Sequence, residues 1–172
     1  SPVECSRPRV EHYLEDPLPI FSVASALFLY DKQGEIVGDP VEAIRAVAAG
    51  RYPQTELMAE GVGWAEGPPD PKPYRDMLQS LGVYPHTLHA PFQVIDLASF
   101  DEAERKDGVQ RVAAAMRFLA EVGGRTVIVH PTGLRRQASP TTRSLENVGA
   151  ATEIAHRSIS EPCTVARRDE RS

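Results

Sequence analysis

From residue 19 onward the chain alternates between two hydrophobic periods. Apolar, β-branched runs at residues 21–29, 55–59, 84–91 and 126–131 predict short strands. Between them, apolar residues recur every three or four positions. Val41, Ile44 and Val47 form one stripe, and Tyr74, Met77, Leu78 and Leu81 a second. Val109, Val112, Ala113, Met116 and Ala120 form a third, and Leu145, Val148 and Ala155 a fourth. Such stripes predict amphipathic helices.

Start and stop signals agree with this division. Asp39-Pro40 and Asp70-Pro71 read as an N-cap followed by proline in the first turn. Ser99-Phe100-Asp101-Glu102 reads as a capping box, with Ser99 as the cap and Glu102 reaching back. Ser139-Pro140 precedes the last stripe, which predicts a helix through about His156. Gly50, Gly82 and Gly123-Gly124 mark helix ends. Four strand–helix units in succession predict a parallel α/β fold.

The ends differ in character. Residues 1–18 are charged and proline-containing and read as a leader, residues 19–160 as the domain, and residues 161–172 as an irregular tail. In that tail Thr164-Val165-Ala166 reads as a fifth strand that begins and is lost in Arg167-Arg168-Asp169-Glu170-Arg171. The chain opens on Ser1, so its start is expected to be processed or cut from something longer. With 172 residues it can bury a sizeable core. A net charge of -5 and a pI of about 5.5 argue against a dedicated nucleic-acid binder. The apolar run at 20–30 is interrupted by Ser22 and Ser25 and is too short to span a bilayer. No signal-peptide pattern opens the chain. Cys5 and Cys163 form neither a disulfide framework nor a CxxC motif, so a reduced, cytoplasmic setting is expected.

Candidate chemistry gathers at two strand ends. Leu88-His89-Ala90-Pro91-Phe92 and Val129-His130-Pro131-Thr132-Gly133 each place a histidine where a parallel strand releases its chain. In barrels that end holds the active site. Thr87, His89 and Pro91 share one strand face, and Thr126, Ile128 and His130 share another. If those faces point inward, both imidazoles look into one cavity. Pro131 biases His130 toward extended geometry and, lacking an N–H, ends ladder pairing there. Neutral imidazole suits divalent metals. Glu56 and Glu60 share a face of the second strand, and Trp64 follows in a loop carrying Gly61, Gly63 and Gly67, which would let that loop move or approach a ligand closely. His12, His86 and His156 read as surface residues. Arg135-Arg136 reads as a solvated loop that is also able to meet phosphate.

The His-Ala-Pro and Val-His-Pro-Thr-Gly pair, with Asp96-Leu97-Ala98-Ser99 and the alanine-rich helix after it, resembles the xylose isomerase-like barrel superfamily over roughly residues 20–158. The resemblance implies half of a (β/α)8 TIM barrel, about four βα units with parallel strands. It further implies a sugar phosphate isomerase/epimerase with a divalent metal (Zn, Mn, Co or Mg) held by His89 and His130. A sugar or sugar phosphate would be contacted by Glu56 and walled by Trp64. The Glu-Asn pair that relatives carry on the fifth strand is absent from this sequence, so the site is expected to be incomplete. Two other readings stay open. One is an endonuclease IV-like phosphodiesterase. The other is an inactive half-barrel, or one that closes its open sheet edges as a homodimer.

Overall fold

The computed structural model describes residues 22–29, 31–32, 37–61, 63–64, 66–93, 95–131, 150 and 152–162. The leader, Cys5, His12, Arg135-Arg136, Ser139-Pro140, Cys163 and the expected fifth strand lie outside them. Four strands form one sheet: β1 (Val23–Ala24), β2 (Gln54–Met58), β3 (Tyr84–His89) and β4 (Thr126–Ile128). All neighbours are parallel and the order is β1-β2-β3-β4. Three helices connect them: α1 (Pro40–Ala49), α2 (Pro71–Leu81) and α3 (Glu102–Val122). A doubly wound sheet reverses its strand order at a switch point, whereas this order steps one way throughout. Right-handed crossovers that all step one way put every helix on the same face, as in a barrel wall. The fold is therefore a partial (β/α)8 barrel.

That helix-side face is the main core. Ile44 and Val47 of α1, Leu78 of α2, and Val109, Val112, Phe118 and Leu119 of α3 pack with Leu57 of β2 and Leu88 of β3. The alternate strand positions, Ala24, Glu56, Met58, Thr87, His89 and Ile128, face the other way, toward the barrel interior.

The helix starts follow the sequence closely. Asp39 accepts a hydrogen bond from Val41 N at 2.7 Å, and Asp70 from Lys72 N at 3.0 Å. Each cap is worth about 1 kcal/mol. The third start is shifted from the expected one. Asp101, rather than Ser99, is the N-cap, accepting from Ala103 N at 2.8 Å and Glu104 N at 3.3 Å. Ser99 Oγ instead accepts from Asp101 N at 3.1 Å and donates to Glu104 at 2.6 Å. Asp101 wins because its carboxylate reaches two amides of the first turn while Ser99 braces it from outside. Glu102 is thereby freed to bind Arg105, and does not reach back.

Two further expectations change. The first strand is only two residues long, and residues Ser25–Phe28 turn into a 3-10 helix. Ala24, Ser25 and Ala26 are poor strand formers. The turn lets Leu29 pack with Met58 and Phe92 on the interior side. Gly50 ends α1 without a left-handed backbone (φ -72°), and Arg51 takes the positive φ instead. A Cβ at Gly50 would meet the exposed Tyr52 ring at 2.8 Å, so that ring would have to move.

Residues 152–162 are helical, so the last helix extends past His156, which is exposed. It is pinned to the start of α3 by the buried Arg105 guanidinium. That group donates to both Glu102 oxygens at 2.7 Å, to Ser158 Oγ at 3.1 Å and to Glu161 at 2.9 Å. The Arg105 hydrogen bonds hold the Glu102 carboxyl at about 2, helped by the charges of Lys106 and Arg157.

Two predictions follow the packing. Gly124 lies against Leu119 and the Pro85 carbonyl, where a Cβ would overlap both. Gly124→Ala is expected to lose about 1–3 kcal/mol in denaturant unfolding. A depressed carboxyl pKa lends stability that is complete above the unfolded value, here 4.5, and is lost as pH falls through about 2. Glu102→Gln is therefore expected to flatten the stability–pH curve between pH 4.5 and 2, read by thermal unfolding across that range.

Candidate metal centre

The parallel register of β3 and β4 builds the site. His89 pairs with Ile128, and Ala90 N donates to the Ile128 carbonyl at 2.9 Å. Two residues further on, His130 returns to the same face. The two imidazoles meet there, with Nε2 to Nε2 at 3.0 Å and ring centroids 4.8 Å apart. The chain after β4 is tied down by Pro131, whose carbonyl accepts from Leu97 N at 2.9 Å and Ala98 N at 3.2 Å. This brings the Asp96-Leu97-Ala98-Ser99 segment against the strand end. Inside it, Asp96 Oδ1 accepts from Ala98 N at 3.0 Å.

Hydrogen bonding assigns the ring protons. His89 Nδ1 lies 3.1 Å from the Ala90 carbonyl, which only accepts. Nδ1 therefore carries the proton and His89 Nε2 is a bare lone pair. In the neutral pair His130 Nε2–H must donate to it. Burial lowers the pKa of His130, and the neighbouring His89 adds to that shift, so the neutral form is favoured.

Phe92 lies beside both rings, 4.7 Å from His89 edge-on and 5.6 Å from His130. Glu60, buried at the end of β2, accepts from Phe92 N at 2.6 Å and Gln93 N at 2.8 Å through one oxygen. Glu56 lies lower on the interior face, half-buried, and accepts from Thr87 Oγ1 at 3.1 Å. The sequence pattern puts Glu56 and Glu60 on one face and gives Phe92 no role. The signal for Phe92 was its place directly after Pro91, just past the end of β3.

Trp64 is not brought to this site. Its loop turns tightly, with Trp64 N donating to the Gly61 carbonyl at 3.2 Å and Gly67 N to the Trp64 carbonyl at 3.2 Å. The positive φ of Gly61 (80°) and Gly63 (89°) allows that turn. The indole is buried in the helix-side core, edge-on to Phe118 at 5.0 Å. An aromatic ring this large gains more from that apolar layer than from the polar interior face. His86 is exposed, next to the register shift where Pro85, without an N–H, interrupts the β2–β3 ladder.

The donor set suits part of a metal site. Two nitrogens on one ion at 2.0–2.1 Å lie about 2.9–3.4 Å apart for bond angles between octahedral and tetrahedral, and the observed 3.0 Å falls in that span. A metal-binding histidine commonly donates its other N–H to a backbone carbonyl, as His89 does. Among the described residues no group of three or more His, Cys, Asp or Glu converges. Neither Glu56 nor Glu60 therefore completes the set.

No protein-family model matches the chain, and no curated protein matches it in sequence. Solved structures do match. A D-tagatose 3-epimerase-like protein aligns over 86% of this chain and 48% of its own, with TM-score 0.62 and 20% identity. The 3-keto-D-glucoside 4-epimerase of E. coli aligns over 86% of this chain and 51% of its own, with TM-score 0.61 and 16% identity. The D-allulose 3-epimerase of Methylomonas sp., solved with D-allulose, aligns over 84% of this chain and 48% of its own, with TM-score 0.56 and 20% identity. The chain spans about half the length of these structures. The likeness is one of fold, and it agrees with the barrel resemblance carried by the two histidine motifs. Among the described residues no helix is long and apolar enough to cross a membrane.

Proposed function

We propose that this chain carries part of the active site of a metal-dependent sugar or sugar-phosphate isomerase or epimerase, in a reduced, cytoplasmic setting. The observation that carries the reading is the His89–His130 pair: two Nε2 atoms 3.0 Å apart on the interior face of a half-barrel, at the C-terminal strand ends. The epimerase folds it resembles make a sugar the favoured ligand.

In this reading His89 and His130 hold the divalent ion, Zn, Mn, Co or Mg. When bound, the ion would polarise the oxygens of a polyol or keto-sugar. His89 keeps its proton on Nδ1, bound to the Ala90 carbonyl, so its Nε2 lone pair is ready. His130 moves its proton from Nε2 to Nδ1 to present a second lone pair. Glu56 offers a carboxylate to a substrate hydroxyl and is oriented by Thr87. Trp64 is given no part in ligand contact. Among the described residues of one chain no third ligand joins the pair, and the carboxylate that moves the carbon-bound proton is not assigned to a residue.

Titration with Co2+, followed by visible absorption, tests the reading. Wild type is expected to bind, and His89→Ala or His130→Ala to lose at least about tenfold in affinity. One ion per two chains would mark a homodimer as the source of the missing ligands. Binding unchanged in both variants, or no binding by wild type, would remove the metal centre. Incorporation of solvent deuterium into D-allulose or D-tagatose by metal-loaded protein, lost in both variants, is the accompanying sign of carbon-bound proton exchange.

A further inference from the structure

We infer that Glu60 is a positioning residue for the two imidazoles, acting through the backbone of the β3 loop and the Phe92 ring. This rests on the metal-centre reading for its purpose, while its geometry stands independently. β3 ends at His89, and Pro91 has no N–H to offer. The next two amides, Phe92 N and Gln93 N, both donate to the same Glu60 oxygen, at 2.6 and 2.8 Å. Glu60 comes from the end of the neighbouring strand, so these charge-assisted bonds lock the loop of β3 onto β2. Both Glu60 and Phe92 are buried, 7% and 6% exposed, so water does not compete freely for the clamp.

The clamp sets where the Phe92 ring lies. It belongs to a buried cluster with Leu29, Ala43 and Met58. It also meets the two histidine rings, with centroids 4.7 and 5.6 Å away. Phe92 thus restrains both imidazoles at once. Without Glu60 the two amides would lose their buried acceptor, and the loop would shift to find another. The ring would move with it, and the 3.0 Å spacing of the nitrogens would lose its support.

The test compares Glu60→Ala, Glu60→Gln and Phe92→Leu in the full chain. The first readout needs no metal: the ring-current shifts that Phe92 imposes on the His89 and His130 ring protons. They are expected to persist in Glu60→Gln, which keeps an acceptor oxygen, and to collapse in Glu60→Ala. The second readout is Co2+ affinity, expected to fall about tenfold in Glu60→Ala and in Phe92→Leu, and to stay within about twofold of wild type in Glu60→Gln. Should Glu60→Ala fail to fold, Glu60→Gln and Phe92→Leu still decide. Wild-type ring-current shifts in Glu60→Ala, or full Co2+ affinity in Phe92→Leu, would overturn the inference. So would loss of Co2+ binding in Glu60→Gln with unchanged shifts, which would make Glu60 itself a ligand. If wild type binds no Co2+, the metal reading falls, and the ring-current shifts alone judge the role of Glu60.

Discussion

The hydrogen bond from Ala90 N to the Ile128 carbonyl, 2.9 Å, sets how far β4 slides along β3 and so where His130 comes to rest. Parallel pairing leaves little freedom here. A slip of one residue would turn His130 toward the helices and Val129 toward the interior. The helix-side core opposes that slip, because Val127 and Val129 pack against the same cluster as Leu88 and Phe118. Gly124, at the entry to β4, lets the chain pass close to Leu119 and the Pro85 carbonyl. The hydrophobic layer on one face of the sheet thus enforces the polar geometry on the other.

The site is built from strand ends and the chain just beyond them. Glu60, His89 and His130 follow from three successive strands, and each is held by backbone hydrogen bonds between neighbours. Glu60 grips the loop of β3, the Ala90 carbonyl orients His89, and the Pro131 carbonyl ties the segment before α3 to the end of β4. Each strand end stabilises the next. This is how a sheet open at both edges, among the described residues, presents two imidazoles with a defined spacing. The fold is like that of sugar epimerases over about half their length.

Much of this was legible in the sequence. Periodicity located four strands and the helices between them, because amphipathic stripes and β-branched runs are local patterns. The Asp-Pro starts of α1 and α2 were readable for the same reason. The strand-face parity that placed His89 and His130 together depended only on the two-residue repeat of a strand. What escaped was decided by competition between neighbours. Asp101 displaced Ser99 as the cap because it reaches two amides. β1 stopped at Ala24 because burying Leu29 over Met58 called for a turn. Trp64 went to the helix-side core because Phe118, 54 positions along the chain, offers its ring there. The clamp of Glu60 on the Phe92 amide joins residues with no local relation, and no sequence pattern announces it.

The central claim is that His89 and His130 lie side by side on the interior face of adjacent strands as neutral rings, with His130 Nε2 donating to His89 Nε2. Proton and nitrogen NMR of the two imidazoles in metal-free protein near pH 7 tests it most directly. Protons are expected on His89 Nδ1 and His130 Nε2, with nuclear Overhauser contacts between the two rings and from both to Phe92. Ring contacts of His130 to α3 residues such as Phe118, with none to His89, would contradict it.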